Sequence, residues 1–408
     1  MPGLVNNTIP STISLFSAKI IPVLHSLYIN KQMLKFYFFG YYENSPEQQE
    51  DVKDLTEDHL RKINSIVQPT LCMFQHCLTE TDHVEILKNQ VYYTSSCKLY
   101  KSLTRVRNNT VIETKQNGWD TSELQLHGNQ IERIISGPGS ICVLSRDDEG
   151  TQKVSIESNG LLKEVDFKGK ILEDISLGKR INLVRTQEKE VYHFADILET
   201  FQPTLSLLHF PTPRQVTAVS CGKEHGVVLT SNNFVWTVGN GSRGQLGLGS
   251  ATKMDSLECV EALHPVKIIS VSAGGWHTIV LSESGDMYGW GWNESGQVGC
   301  IRESYDEMDC SEENRAKLVF LPSLVDTSLD DSFTLIKTGS RHSAAVSTSG
   351  QCFTWGWNGY GQLGHGDQSN CVKPRMVSFF AHNNLEILDV ICSEWVTLVK
   401  TVHKDNKS

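Results

Sequence analysis

Three histidines stand in the same local frame. CGKEHGVVL holds His225, AGGWHTIVL holds His277 and TGSRHSAAV holds His342. Neutral imidazoles converging from neighbouring strands could ligate a metal, and one imidazole beside a nucleophile could act as a general base. The surrounding text argues against both. Twenty positions after each histidine comes a glutamine (225 to 245, 277 to 297, 342 to 362), inside VGNGSRGQLG, WGWNESGQVG and WGWNGYGQLG. Between copies the glutamines are 52 and 65 apart, so the interior of the unit is constant while its exterior varies. A repeated module with loop insertions behaves in this way. One histidine per module keeps the rings apart, and His225, His277 and His342 read as structural residues bonding local backbone.

Other chemistry finds no motif. The chain carries no P-loop, no GxSxG, no HExxH and no dinucleotide fingerprint, and its carboxylates are not paired by any recognisable pattern. No cofactor and no metal are expected, and the chain does not read as an enzyme. The 408 residues carry 37 Lys and Arg against 47 Asp and Glu, a net charge of −10. That balance disfavours nucleic acid, which needs clustered cations, and suits basic protein partners. Eleven widely spread cysteines without a CxxC pair read as reduced thiols rather than a disulfide framework or a zinc site. No apolar run reaches the ~20 residues of a membrane span. Residues 1–32 hold only Lys19 and Lys31 as charges and read as an extension outside the fold; an organellar address for them is the weaker alternative.

The elements behind the repeat are short strands. HTIVLSESGDMYGWGW is an apolar run, a Ser-Glu-Ser-Gly-Asp turn and a second run, and HSAAVSTSGQCFTWGW repeats the plan. These are β-hairpins, which cannot bury their faces alone. Sheets packed around an axis solve that problem. Trp290, Trp292, Trp355 and Trp357 then serve packing between sheets, Gly291 and Gly356 close backbone approach, and Gln245, Gln297 and Gln362 the repeat itself. Counting inner-strand anchors near 72, 140, 181, 225, 277, 342 and 396 predicts an all-β, seven-bladed β-propeller over 33–403, regular over 216–400 and degenerate over 33–215, with a short tail at 404–408. The last module runs out of chain before its glutamine. FYFFGY at 36–41 has the aromatic-Gly-aromatic ending of CFTWGW at 352–357, so the N-terminal strand is expected to complete the last blade. The polar stretch 104–124 reads as a loop between blades, and 47–62 as an exposed, helix-capable connection.

The Gly-x-x-His, hairpin and Trp-Gly-x-Asn-x-x-Gly-Gln-Leu-Gly sequence resembles the regulator-of-chromosome-condensation repeat family of seven-bladed propellers. SAGGWHTIVLSESGDMYGWGWNESGQVG at 272–299 is most similar to a small chromatin-linked member. That likeness implies a non-enzymatic, monomeric partner of a Jumonji-C histone lysine demethylase or hydroxylase at the nucleus and chromosome. It further implies roles in histone methylation control, chromosome segregation and spindle stability, with histones as further partners. The founding member's activity implies the alternative, guanine nucleotide exchange on a small GTPase such as Ran.

Two features suit partner binding. The residue before each anchor, Glu224, Trp276, Arg341 and Trp395, changes in type within a repeating frame, and Trp and Arg are common interface anchors. The insertion CIRESYDEMDCSEENR at 300–315 carries six acids, Glu307 and Asp309 among them, and reads as a surface loop able to dock a basic segment or simply to stay in water.

Overall fold

A six-residue run that is apolar almost throughout, such as HTIVLS, satisfies its backbone as a strand with a partner on each side. In the computed structural model these runs are the second strands of four-stranded antiparallel sheets. Every residue of His225–Thr230, His277–Ser282 and His342–Ser347 is buried. The structure describes residues 130–404 apart from 138–139, 159–160, 196–203, 301–316 and 328–330. Upstream it describes the strands Tyr28–Ile29, Gln32–Met33, Lys35–Tyr41, Ser65–Leu71, Val84–Leu87, Gln90–Ser95, Lys98–Leu103, Val106–Arg107, Thr110–Val111 and Asp120–Leu124. The acidic residues Glu307 and Asp309 and the stretch 47–62 lie outside the described residues.

Among the described residues seven sheets have four strands each. The first is Val84–Leu87, Gln90–Ser95, Lys98–Leu103 and Asp120–Leu124, from the innermost strand outward. The second is Gln130–Gly137, Ser140–Arg146, Gln152–Ser158 and Leu161–Glu164. The third is Leu172–Ser176, Asn182–Thr186, Val191–Ala195 and Thr204–Leu207. The fourth is Val216–Cys221, His225–Thr230, Val235–Gly239 and Met254–Cys259. The fifth is Ile268–Ala273, His277–Ser282, Met287–Trp292 and Leu318–Leu324. The sixth is Phe333–Thr338, His342–Ser347, Cys352–Gly356 and Cys371–Met376. The seventh is Leu385–Cys392, Val396–His403, Lys35–Tyr41 and Ser65–Leu71. Innermost strands neighbour one another in chain order, and Val84–Leu87 lies against both Gln130–Gly137 and Leu385–Cys392.

The N-terminal strand enters the seventh sheet in the register of its counterparts. Phe39 pairs with Thr397 and Gly40 with Val396. Trp290 pairs likewise with Thr278 and Gly291 with His277, Trp355 with Ser343 and Gly356 with His342. The packing is equivalent too. Trp290, Trp355 and Phe39 are fully buried, each against the last glycine of the preceding GQ(L/V)G: Gly247, Gly299 and Gly364. At Gly299, φ is +80° and a Cβ would come within 2.9 Å of Trp355 Nε1, so any side chain there is both strained and obstructed.

Two strand assignments need correcting. The inner strand placed near Cys72 is an outer one: Ser65–Leu71 is the last strand of the seventh sheet, and the first sheet begins at Val84. Pro69 supplies the reason, since a residue without an N–H cannot serve a central ladder. Pro322 and Pro374 also stand in outermost strands. The supposed loop 104–124 contains Asp120–Leu124, the outermost strand of the first sheet, and a small hairpin pairing Val106–Arg107 with Thr110–Val111.

The histidines, expected to bond local backbone, instead bond hydroxyls of the next sheet. His225 Nε2 lies 2.9 Å from Thr278 Oγ1, His277 Nε2 3.0 Å from Ser343 Oγ and His342 Nε2 3.1 Å from Thr397 Oγ1. Each hydroxyl in turn donates to a glutamine carbonyl of the histidine's own module: Thr278 to Gln245 O at 3.3 Å, Ser343 to Gln297 O at 2.7 Å and Thr397 to Gln362 O at 2.8 Å. A hydroxyl has one proton, so it can only accept from the imidazole, and each ring carries its hydrogen on Nε2. Burial pushes the imidazole pKa down to about 3 for His225, about 3 for His277 and about 4 for His342.

These depressed values fix a pH dependence. Below pH ~6.5 the unfolded chain binds protons that the folded sheets refuse, so stability falls as pH falls from about 6.5 toward 4. Each histidine contributes up to ~1.4 kcal/mol per pH unit to that slope. Urea unfolding at pH 7, 6 and 5 should show it, and His277→Gln should flatten the slope by about one proton. Phe39→Ala should lower stability by ~3–5 kcal/mol through the cavity left against Gly364, measured in the same denaturation at pH 7.

Candidate functional site

The register that buries each anchor turns the residue before it outward. Its carbonyl accepts from the residue just past the third strand's glycine: Asn240 N to Glu224 O, Trp292 N to Trp276 O and Trp357 N to Arg341 O, at 2.9, 2.8 and 2.8 Å. The pre-anchor side chains thereby sit beside the turns that follow the third strands, on one face of the propeller. Glu224, Trp276, Arg341 and Trp395 are each half-buried there.

Cations and aromatic rings alternate along this face. Arg243 lies 4.4 Å from the Trp276 ring centroid and 4.5 Å from that of Trp292. Arg341 lies 4.2 Å from Trp292 and 5.8 Å from Trp357. Trp276 meets Trp292 edge to face at 5.4 Å, and Trp357 meets Trp395 at 5.0 Å and Tyr360 at 5.0 Å. Arg243 is thus shared between two indoles of the fifth sheet and Arg341 between indoles of the fifth and sixth, and such contacts are worth ~0.5–2 kcal/mol apiece, more as water is excluded. Arg341 Nη2 also donates to Glu294 Oε2 at 3.1 Å and to Ser295 Oγ at 3.3 Å. Glu224 accepts from Asn240 Nδ2 at 2.7 Å.

Only half of the tryptophan set serves inter-sheet packing as expected. Trp290 and Trp355 are sealed in the core, whereas Trp292 and Trp357 stand at the face. One glycine separates each pair, a spacing that puts both indoles on the same side of a regular strand; φ of 103° at Gly291 and 105° at Gly356 breaks the alternation there and turns the second indole out to the face. Sequence reading found the four pre-anchor residues but missed Lys223, Arg243, Glu294 and Tyr360. Arg243 and Tyr360 both sit two residues before the glutamine, a position legible once the turn is known: the glutamine side chain accepts their backbone N–H, at 2.7 Å for Arg243 and 3.0 Å for Tyr360.

Lys223 marks the centre of the face. A chain of backbone hydrogen bonds passes from sheet to sheet here: Lys179 and Arg180 N to Lys223 O, Lys223 N to Gly275 O, Gly275 N to Gly339 O and Ser340 N to Glu394 O. Behind it runs an axial channel of about 590 Å³. Four of its hydroxyls stitch inner strands together: Ser176 Oγ accepts from Cys221 N, Ser220 Oγ from Ala273 N, and Ser272 bonds Thr338.

The arrangement suits recognition. The three anchor histidines are sealed and neutral. Burial pushes the thiols of Cys142, Cys221, Cys300 and Cys392 up to about 12, so they are protonated. At the rim Cys259 lies 3.2 Å from His264, and burial raises its thiol above the ordinary range as well. Among the described residues no group of three or more His, Cys, Asp or Glu is placed to hold a metal ion.

Comparison with known proteins agrees with this architecture. Residues 232–281, 284–346 and 349–399 match the regulator of chromosome condensation (RCC1) repeat, and a second description of that repeat matches 216–245, 268–297 and 333–362. RCC1 domain-containing protein 1 of Mus musculus is 35% identical over 214 residues, which are 47% of this chain and 57% of that protein. The chain therefore spans just over half the length of that relative. The ultraviolet-B receptor UVR8 of Arabidopsis thaliana is 30% identical over 41% of this chain and 36% of its own length. Among solved structures, Prp20p from Saccharomyces cerevisiae superposes with a TM-score of 0.69 at 17% identity, covering 93% of this chain and 94% of that one. Human WBSCR16 superposes with a TM-score of 0.66 at 15% identity, covering 90% and 98%. Residues 216–399 thus carry repeats of the regulator of chromosome condensation type, and the chain shares its propeller fold with Prp20p and WBSCR16.

Proposed function

We propose that the protein is a non-enzymatic scaffold, a single propeller over 33–403, that docks a chromatin-associated Jumonji-C oxygenase in the nucleus and takes part in histone methylation control. The observation that carries this reading is the stretch 272–299, similar to a chromatin-linked family member, together with a face on which Trp276, Trp292, Arg341, Trp357 and Trp395 remain half-exposed. Aromatic and arginine side chains held rigidly by their neighbours lose little freedom on binding, which is what interface anchors require. Glu224 belongs to the same surface. The acidic insertion with Glu307 and Asp309 offers a second contact for a basic segment.

A second reading, nucleotide exchange on a small GTPase such as Ran, draws on the fold shared with Prp20p, whose structural description couples it to Gsp1p and histones. Exchange assays with a panel of GTPases decide it: release of bound nucleotide no faster than the uncatalysed rate sinks it.

Affinity purification from nuclear extract should recover a Jumonji-C oxygenase, and recovery of partners without one would count against the scaffold reading. Trp276→Ala and Arg341→Ala should each weaken the purified complex by ~2 kcal/mol, roughly thirtyfold, if this face is the contact. Deletion of 301–314 should leave affinity intact and slow association at low salt. The opposite pattern moves the contact to the insertion.

A further inference from the structure

At the centre of the face lies a site that the protein fills with its own side chain. Lys223 Nζ stands 4.8 Å from the ring centroid of Trp276 and 5.5 Å from that of Trp395, tryptophans of the fifth and seventh sheets. Glu394 Oε1 is 3.8 Å away, an ion-pair separation too long for a hydrogen bond. The ammonium is therefore held by two indole rings and one carboxylate acting at a distance. No acceptor of the described residues lies within hydrogen-bond reach of its three N–H groups. The side chain is only 16% exposed. Burial, the largest influence, pushes its pKa below the ordinary lysine value; Lys179 and Arg341 act in the same direction and Glu394 opposes them.

A primary ammonium fits these surroundings poorly, because it wants acceptors and pays for desolvation. A quaternary one fits well. It has no N–H to satisfy, packs methyl groups on indole surfaces and keeps its charge when buried. We infer that the Trp276–Trp395–Glu394 site binds a trimethylammonium group, and that Lys223 occupies it in the free protein. The lysine backbone is anchored on both sides, through its N–H to Gly275 O and its carbonyl from Lys179 and Arg180. The flexible four-carbon stem can swing out without disturbing that collar. A trimethylated lysine on a partner and a choline head group share this chemistry. The inference rests on the site's geometry and is independent of the oxygenase reading.

Tetramethylammonium chloride titrated into the full chain is the first probe, read by calorimetry and by the indole N–H resonances. Lys223→Ala should bind it at least tenfold more tightly than the parent chain, and Trp395→Leu added to that variant should abolish binding. In the parent chain, high concentrations should shift the indole signals of Trp276 and Trp395 saturably, a readout that needs no variant to fold. Lys223→Ser repeats the test if the alanine variant misfolds. A peptide bearing trimethyl-lysine and phosphocholine, each competed against the probe, distinguish the two sources. Absence of saturable binding in the variant and of indole shifts in the parent overturns the assignment. So does affinity that fails to rise on removing Lys223, or that survives Trp395→Leu.

Discussion

One hydroxyl group, gripped from two directions, sets the spacing on which the regular half of the molecule depends. His277 donates to Ser343 of the next sheet, and Ser343 donates to the carbonyl of Gln297, which belongs to the same module as His277. Two residues of one module thus close on a single atom of its neighbour. The interval between them can vary only as far as that geometry allows, which is why it is 20 residues in all three copies while the exteriors differ. One of these carbonyls serves packing as well: Gln245 O also accepts Trp290 Nε1 at 2.9 Å, filling its second lone pair. Burial then makes the bridges costly to break, since an orphaned buried donor or acceptor costs ~1–3 kcal/mol.

The bridges begin and end where their partners do. The third sheet has Ile181 at the anchor, and the fourth sheet has Gly226 where a hydroxyl would be received. A Cβ at Gly226 would meet Leu183 Cδ1 at 2.7 Å, so apolar packing has replaced the polar clamp. The seventh sheet has Val396 at the anchor, yet keeps Thr397 to receive from His342. Three bridges therefore link sheets four to seven. The second and third sheets rely on a shared apolar cluster around Leu144, Ile175 and Phe194, with Arg133 paired to Asp174 at the surface. A clamp that is buried and uncharged leaves the turns free to carry unlike side chains, and the alternating arginines and tryptophans exploit that freedom.

That face has an electrostatic character that net charge hides. The chain is acidic overall, yet Lys223, Arg243 and Arg341 gather on indole rings at one end of the axis. Their charge is absorbed by aromatic quadrupoles and by Glu294 and Glu394 rather than displayed to solvent. Such a face offers aromatic surface and internally balanced cations rather than long-range attraction.

How much of this was legible differs from element to element. The repeat, its hairpins, the strand pairing of Phe36–Tyr41 and the pre-anchor positions follow from local pattern, because alternation, turn residues and a constant interval are properties of contiguous sequence. The N-terminal strand could be matched because Phe39-Gly40 copies Trp355-Gly356 and because the last module lacked a strand. The first sheet was misplaced because its residues carry neither the histidine nor the glutamine, and a run such as SIVQPTL reads equally as inner or outer until its proline is weighed. The histidines were recognised as structural, but their partners lie 53, 66 and 55 residues away on the next sheet, beyond any local rule. Lys223 was passed over altogether: nothing in CGKEH announces a cation between two tryptophans that only the folding of three sheets around one axis brings within reach. Sequence by itself determined the repeated module, its hairpin and its constant interval, since those arise from neighbouring residues; the four-stranded sheets, the contacts between modules and the site at their common axis were decided by the tertiary structure, because they join residues whose proximity exists only once the sheets have packed.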